Sequence, residues 1–399
     1  MKLINPMHKP DLPCTMLFQP SGLIDFPNSV EVFDALSATG SGVGNGSNSI
    51  RSALGEYFER RHFYREILSK KRGALNESLT NAEVDSFTGA FVQTASNGIS
   101  IAALESYKFF MSEVVRVSDF SSCFIPTVCL SLSSRGLESD TFIYPQRDTC
   151  GCSFHWRSEV AFLGAIKEYL ERQFLLRFWL TKKCRSLVSP VYVDSSLVGR
   201  RVIHLYHALL AAGKLSVFDI SDSRFPGVCI LVVYGQNRPH HNVNYCAGMS
   251  YASTESEALE KALLELWQTY RFMDLFGAVD SDISKVEDPY LRYFLSCNSF
   301  ATYHEITDVL VVEESSVSRA VGFTLQGLLS VLKGLGVAGY FYSRYSTVNG
   351  VGCFFCRYLS PDLFLHMDNS GSINLINKYS KSFLASVLPS RLERMVPFP

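Results

Sequence analysis

The chain has 399 residues, 47% hydrophobic and 19% charged, which is enough apolar content for a sizeable core and excludes a disordered chain. With 37 basic and 38 acidic residues the net charge is −1, which excludes a general nucleic-acid binder that relies on clustered positive charge. The opening "MKLINPMHKPDLPC" lacks the apolar segment of a secretory signal, and no run reaches the ~18 apolar residues of a membrane span.

Residues 1–48 are rich in Gly, Ser and Pro and end in "SATGSGVGNGSNS". This leading segment feeds a helix that Ser47, Asn48 or Ser49 could cap. The helix carries "ALGEYFERRHF" (53–63) and ends before the basic turn "SKKRG". Residues 82–116 suggest more helix, and "FIPTVCLSLSS" and "DTFIYP" read as strands. The glycine-containing turn "YPQRDTCGCSFH" precedes a second long helix, about 157–181, with "AIKEYLERQFL". Residues 200–213 form a helix with a glycine stop. "LSVFDIS", "GVCILVVYG" and "NVNYCAGMSYAS" follow as strands, then a third helix, about 254–274, with "ALLELWQTYRF". Alternating segments near 307–312 and 338–345 add strand, and the chain closes with "RMVPFP". Helices and strands interleave without strict βαβ alternation. This predicts an α+β (mixed α/β) architecture in one large domain, 1–399.

The eleven cysteines are odd in number and scattered through apolar sequence. They read as free thiols of a reducing cytosol rather than a disulfide framework. Cys150 and Cys152 have the wrong spacing for a zinc knuckle, and Cys353 and Cys356 enclose two phenylalanines where a knuckle would turn, so zinc is not expected.

The three long helices share one frame: Ala-aliphatic-x-Glu-apolar-apolar-Glu/Gln. Glu56 and Glu59, followed by Arg60, recur as Glu168 and Glu171 followed by Arg172. Glu265 and Gln268 repeat the spacing with less charge. Carboxylates three apart share a helix face. A single such helix is most simply a solvated stripe; three of them among Leu, Phe, Tyr and Trp point inward. Facing carboxylates repel and need cations, and magnesium, which prefers oxygen ligands and bridges to phosphate, fits. The arginines would supply bidentate donors to phosphate. A di-iron bundle would need Glu-x-x-His on two helices; Glu59 and His62 make one such pair, but the second acidic helix has none, so di-iron is not expected. "GSGVGNGS" is neither a Walker loop nor a dinucleotide fingerprint, though as a turn before a helix it could approach a phosphate.

"SALGEYFER" (52–60) resembles the first ATP-binding motif of the YcaO family, Ser-x3-Glu-x2-Glu-Arg, and "KEYLER" (167–172) resembles the second. "GEYFERRHF", "RDTCGCSFH", "ELWQ", "FLHMDNSG" and "MVPFP" extend the resemblance to the cyclodehydratase subunits of microcin-type azole synthetases, across essentially the whole chain. The resemblance implies a single YcaO-type domain whose helices line a nucleotide pocket against mixed sheets. It also implies ATP-dependent cyclodehydration of a ribosomally made precursor peptide. A Ser or Cys side chain attacks the preceding carbonyl carbon, ATP phosphorylates the resulting oxygen, and loss of phosphate leaves an oxazoline or thiazoline.

By the same resemblance Glu56, Glu59, Glu168 and Glu171 would hold Mg2+ and the nucleotide phosphates. Ser52, Arg60 and Arg172 would contact ATP, and Glu265 and Gln268 would complete the pocket. The tail 390–399, with Pro397 and Pro399, would reach the active site. An E1-like leader-binding subunit and an FMN-dependent dehydrogenase are the implied partners, in a cytoplasmic hetero-oligomer. The aromatic-rich "YFLSCNSFATYHE" could serve that contact or the core. Two positions depart from the pattern: Val160, where relatives commonly place an acid and Glu159 stands beside it, and the glycine turn, which holds Ser41 in "GSG" rather than a lysine. A thioamide-forming enzyme and a non-catalytic scaffold subunit are the alternative readings.

Overall fold

The computed structural model describes residues 14–22, 25–35, 38–279, 282–312, 322–348 and 350–398. The three helices with the repeated frame span Ser47–Arg65, Ser158–Thr181 and Glu255–Ala278. Each follows directly on a strand: Thr39–Gly44, Cys152–His155 and Tyr245–Ala252. The three strands belong to three different sheets.

Thr39–Gly44 borders an antiparallel three-stranded sheet with Asn28–Asp34 and Cys14–Gln19. Cys152–His155 is the edge of a six-stranded sheet ordered Lys71–Gly73, Phe109–Arg116, Tyr340–Val348, Val351–Leu359, Cys152–His155, with Ser122–Pro126 also paired to Phe109–Arg116. Tyr245–Ala252 edges a four-stranded sheet followed by Val228–Gly235, Lys214–Asp219 and Ser186–Leu187. The first helix packs on the three-stranded sheet and on Cys152–His155. The second lies against Val351–Leu359, Cys152–His155 and Tyr245–Ala252, and the third against the four-stranded sheet and Thr39–Gly44. Each helix thus touches its own sheet and one belonging to another unit, which closes the three strand–helix units into a ring.

The second helix is the hub. It buries Ala165, Ile166, Tyr169, Leu170, Phe174, Leu176, Trp179 and Leu180 around most of its circumference, as expected of a helix with apolar residues on all sides. Its residues join a large core with strand residues Leu231, Val233, Ala247 and Met249 and with the tail residues Val396 and Phe398.

Glycines let the first and third helices lie directly on their strands. A Cβ on Gly40 would stand 2.3 Å from Tyr57 N and 2.4 Å from Ala53 O, and one on Gly42 would stand 2.2 Å from Ser49 O. On the third unit a Cβ on Gly248 would meet Leu266 N at 2.1 Å and Ala262 O at 2.2 Å. The "GSGVG" stretch is therefore a strand packed against a helix, not a turn open to phosphate.

The mixed α+β reading holds, and several local expectations are corrected. The described part of the leading segment is a sheet rather than loop. The first helix starts at Ser47 after Gly46, with no side-chain cap; Ser49 Oγ instead donates to Gly46 O. Residues 82–116 are helix only over Asn81–Thr94 and Ile101–Ser106, because Phe109–Arg116 pairs into the six-stranded sheet. "DTFIYP" is not a strand: a short helix, Glu138–Thr141, leads into a turn held by Asp140, which accepts from Phe110 N at 2.9 Å. "FIPTVCLSLSS" is strand only up to Pro126. All eleven cysteines are free, ten of them buried.

Gly40→Ala or Gly248→Ala should lower stability by about 1–3 kcal/mol, the range for overpacking a filled core. Denaturant midpoints test this; midpoints equal to wild type would show that the helices are not seated as closely as described.

Candidate active site

The acidic positions of the three helices meet where the units close. On the first helix, Glu56 Oε2 accepts from Ser41 N at 2.6 Å, and Glu56 Oε1 pairs with Arg60 Nη2 at 2.5 Å. On the third, Glu265 Oε2 accepts from Met249 N at 2.9 Å. Glu56 and Glu265 hold equivalent places in the repeated frame, and each is tied to an amide of the strand that precedes its own helix. The second frame position reaches across to the next unit. Glu171 Oε2 accepts from Tyr251 N at 2.6 Å, and Glu59 faces the backbone of Phe154. Backbone amides are strong fixed donors, so the ring closure holds the carboxylates in place.

These carboxylates are crowded. Burial, then the charge of Glu56, pushes Glu59 up to about 8 despite Arg60 and Arg357. Burial and Glu59 raise Glu168 well above the ordinary carboxylate range, with Arg172 opposing. Glu171 is raised by burial, against Lys167 and Arg172. Burial and Glu171 take Glu265 to about 8. For Arg172 burial works against the charge, but Glu168, Tyr290, Glu265 and Glu171 outweigh it and hold the guanidinium protonated. Arg60 is likewise held charged by Glu56 and Glu59 against its burial, and it donates to Thr39 Oγ1 at 3.1 Å.

Between the second and third helices lies a cavity of about 230 Å3, lined by Gly164, Lys167, Glu168, Glu171, Met249, Ser250, Lys261 and Glu265. Among the described residues no three His, Cys, Asp or Glu side chains stand close enough to hold a metal ion by themselves. The donor set nevertheless fits magnesium, which takes one or two carboxylates and completes its shell with water and phosphate oxygens. Adding a cation would relieve the repulsion that now raises these groups.

Of the residues expected from the sequence, Glu56, Glu59, Arg60, Glu168, Glu171, Arg172 and Glu265 share this electrostatic network. Ser52 is exposed on the first helix and Gln268 half-buried on the third; of the expected residues only Glu168, Glu171 and Glu265 line the cavity itself. Val160 is 36% exposed and Glu159 stands at the surface facing Arg157 at 3.8 Å, so neither turns into the recess. The tail runs into the core: Val396 and Phe398 are each 1% exposed, Pro397 is buried, and the Phe398 ring lies 5.8 Å from the Arg172 guanidinium. Pro399 lies outside the described residues. In "YFLSCNSFATYHE", Phe294, Leu295, Cys297 and Tyr303 are buried, so this stretch belongs to the core.

Several contributors were not read from the sequence. Glu31 is pushed up to about 7 by burial, with a Ser41 hydroxyl 2.5 Å away opposing and Glu56 adding to the rise. Lys167 and Lys261 line the cavity. Arg357, 1% exposed, donates to Leu130 O and Asp148 O behind Glu59. Charge pairs at helical spacing could have flagged the lysines, four residues before Glu171 and Glu265. Glu31 and Arg357 sit on strands and carry no such signal.

Half-buried carboxylates from three helices, coupled to one another and faced by arginine and lysine, define a protein that binds a cation-bridged polyanion. The family model for YcaO cyclodehydratase, ATP- and Mg2+-binding, matches residues 41–363, and the chain belongs to that family; it is an ATP-dependent cyclodehydratase. It is 32% identical over 394 residues, 97% of each chain, to the microcin B17-processing protein McbD of Escherichia coli. It superposes on a chain of the E. coli microcin synthetase McbBCD complex with a TM-score of 0.83, at 30% identity and 96% coverage of both. YcaO from Methanopyrus kandleri, solved with AMPPCP and Mg2+, shares the fold at 13% identity and TM-score 0.55, over 87% of this chain and 85% of that one.

Carboxylates whose folded values are raised favour the protonated form, so their stabilising contribution is complete below the unfolded value of 4.5. It is lost as pH rises through about 8, the folded value of Glu59 and Glu265. The melting temperature of the magnesium-free chain should therefore fall across that window. Glu59→Gln or Glu265→Gln should flatten the fall, and magnesium with nucleotide should stabilise most at its alkaline end. Thermal unfolding against pH checks this; a flat wild-type profile would contradict the crowding.

Proposed function

We propose that this chain is the cyclodehydratase subunit of an azole-forming synthetase, converting Ser and Cys residues of a ribosomally made precursor peptide to oxazolines and thiazolines. The observation that carries the reading is the half-buried, mutually coupled network Glu59–Glu168–Glu171–Glu265 around Arg172, in a chain similar to McbD along almost its whole length. A second solved E. coli assembly, McbBCD with pro-MccB17 bound, contains a chain this one matches at 30% identity and TM-score 0.84. By that likeness a precursor peptide, an E1-like leader-binding subunit and an FMN-dependent dehydrogenase are this chain's partners. Its place is the cytoplasm; among the described residues no helix is long and apolar enough to cross a membrane.

The roles follow from the chemistry of each group. Glu56, Glu59, Glu168 and Glu171 would hold magnesium together with the nucleotide phosphates, and the metal when bound supplies positive charge to the phosphoryl oxygens. Arg172, half-buried and held protonated, presents a fixed donor where negative charge develops, which is worth most in a site shielded from water. Arg60 holds Glu56 in place from the first helix while remaining charged itself. Ser52 would contact the nucleotide, and Glu265 and Gln268 would close the pocket from the third helix, where an amide suits a sugar or base. The segment 390–399, with Pro397 and Pro399, would place the chain end beside the reacting peptide bond. An amide oxygen is a poor leaving group, and its phosphorylation is what allows water to be lost as phosphate and the ring to form.

Glu171→Gln should slow ring formation by about 100-fold or more, the scale of losing a transition-state electrostatic contact, while the complex still assembles. Glu56→Gln should abolish magnesium-dependent ATP binding in calorimetry. Ring formation at the wild-type rate, read as loss of water by mass spectrometry, would refute the role of Glu171; wild-type ATP affinity would refute that of Glu56.

A further inference from the structure

Residues 395–398 form neither helix nor strand, yet three of their carbonyls and one amide are engaged by side chains from separate elements. Tyr293 Oη donates to Met395 O, Tyr245 Oη to Pro397 O at 2.6 Å, and Tyr290 Oη to Phe398 O at 2.7 Å. Val396 N donates to Asn369 Oδ1 at 2.9 Å, and Phe398 N to Val396 O at 2.9 Å. Asn369 Nδ2 and Trp179 Nε1 fix the entrance by donating to Arg394 O. Apolar burial of Val396 and Phe398 alone would anchor such a tail without setting its register. Three tyrosine hydroxyls aimed at three carbonyls do set it, because a buried carbonyl left without a donor is costly.

The tyrosines come from two places. Tyr245 opens the strand before the third helix, and Tyr290 and Tyr293 sit on the helix Pro289–Ser296. Tyr290 is the one closest to the chemistry. Its hydroxyl holds the carbonyl of Phe398 while Arg172 faces the ring of the same residue. It is also in electrostatic reach of Arg172: burial, eased by Arg172, leaves the Tyr290 phenol at about 12, so the hydroxyl remains a donor at neutral pH. Phe398 is thus gripped at its carbonyl by Tyr290 and at its ring by the arginine of the second ExxER helix.

We propose that Tyr245, Tyr290 and Tyr293 are positioning residues that fix the register of the tail, with Tyr290 linking the tail to Arg172. Through them residues 395–398 are set with respect to the carboxylate network. The inference rests on the reading that the tail takes part in the reaction, and goes beyond it by naming what holds the tail in place. A tyrosine that acts only by positioning should affect turnover and the order of the tail, but not nucleotide binding.

The test uses the full chain reconstituted with its partner subunits and precursor peptide. It compares wild type, Tyr290→Phe, Tyr245→Phe/Tyr290→Phe, and a chain ending at Arg394. Tyr290→Phe should lower kcat for ring formation about 10-fold, below the ~100-fold seen when a reacting group is displaced by about 1 Å. The Kd for Mg-ATP should stay within about two-fold, and the double variant should lose more turnover. Hydrogen exchange at the Val396 and Phe398 amides should rise in both Phe variants while the three long helices stay protected. Wild-type kcat in both Phe variants, with the truncated chain inactive, would overturn the positioning role and leave the tail's role standing. A truncated chain as active as wild type would overturn the tail reading and this proposal together. Parallel losses of kcat, ATP affinity and helix protection would mark the tyrosines as structural only, and would also overturn the proposal.

Discussion

The structure is organised around carboxylates that repel one another yet are held by backbone amides inside the protein. Each amide donor belongs to a strand that either precedes the same helix or begins the next unit. Ser41 N and Met249 N serve Glu56 and Glu265 from their own units, and Tyr251 N serves Glu171 from the neighbouring one. A helix shift of one residue would turn these side chains about 100° away and leave amides and carboxylates unpaired together. The close seating of helix on strand at Gly40, Gly42 and Gly248 is the steric side of the same constraint. The glycines let the backbones approach, and the approach brings the amide within reach of the glutamate.

That arrangement works against the stability of the ligand-free protein. Groups as raised as Glu168 and Glu265 store unfavourable interaction in the folded state, the pattern expected where function is placed ahead of stability. The surrounding cations temper it without cancelling it: Arg60 and Arg172 lie on the same helices as the acids, while Arg357 sits behind them on a strand. Their fixed positions matter as much as their charge. A guanidinium held by fixed partners needs no reorganisation when a phosphoryl group arrives, and the protein has met that cost in folding.

What could be read from the sequence was whatever has a helical period. The frame repeated at 53, 165 and 262, its flanking apolar residues and its arginines all lie within single helices, so spacing alone pointed to seven residues that share one electrostatic network. Contacts between elements were hidden. Tyr251 meets Glu171 across 80 residues, and Arg357 meets Leu130 across 227. Glu31 lies in a stretch whose Gly and Ser content reads as loop, although alternating Val30 and Val32 are buried under the first helix. The glycine run was misjudged for a related reason. Glycine serves an open turn or a tight backbone contact equally well, and only the packed helix distinguishes them. "DTFIYP" failed as a strand because Asp140 turns the chain by accepting from Phe110 N, a long-range bond with no local signature.

The two departures from the family pattern bear on whether the pocket is working or vestigial. The glycine strand carries Ser41 where relatives commonly place a lysine, but Ser41 is occupied: its amide holds Glu56 and its hydroxyl holds Glu31. The cavity has its own cations in Lys167 and Lys261, which come from the second and third helices. Burial lowers Lys167, while Glu171 and Glu257 oppose that shift. Val160 is turned to the surface, so an acid there would not enter the recess without moving the helix start. A scaffold would gain stability by exchanging crowded, half-buried like charges for apolar side chains of similar volume. Here Glu59, Glu168, Glu171 and Glu265 all remain, each matched to an arginine, a lysine or a strand amide. The fold bears their repulsion, and a bound cation with its phosphates is what would relieve it.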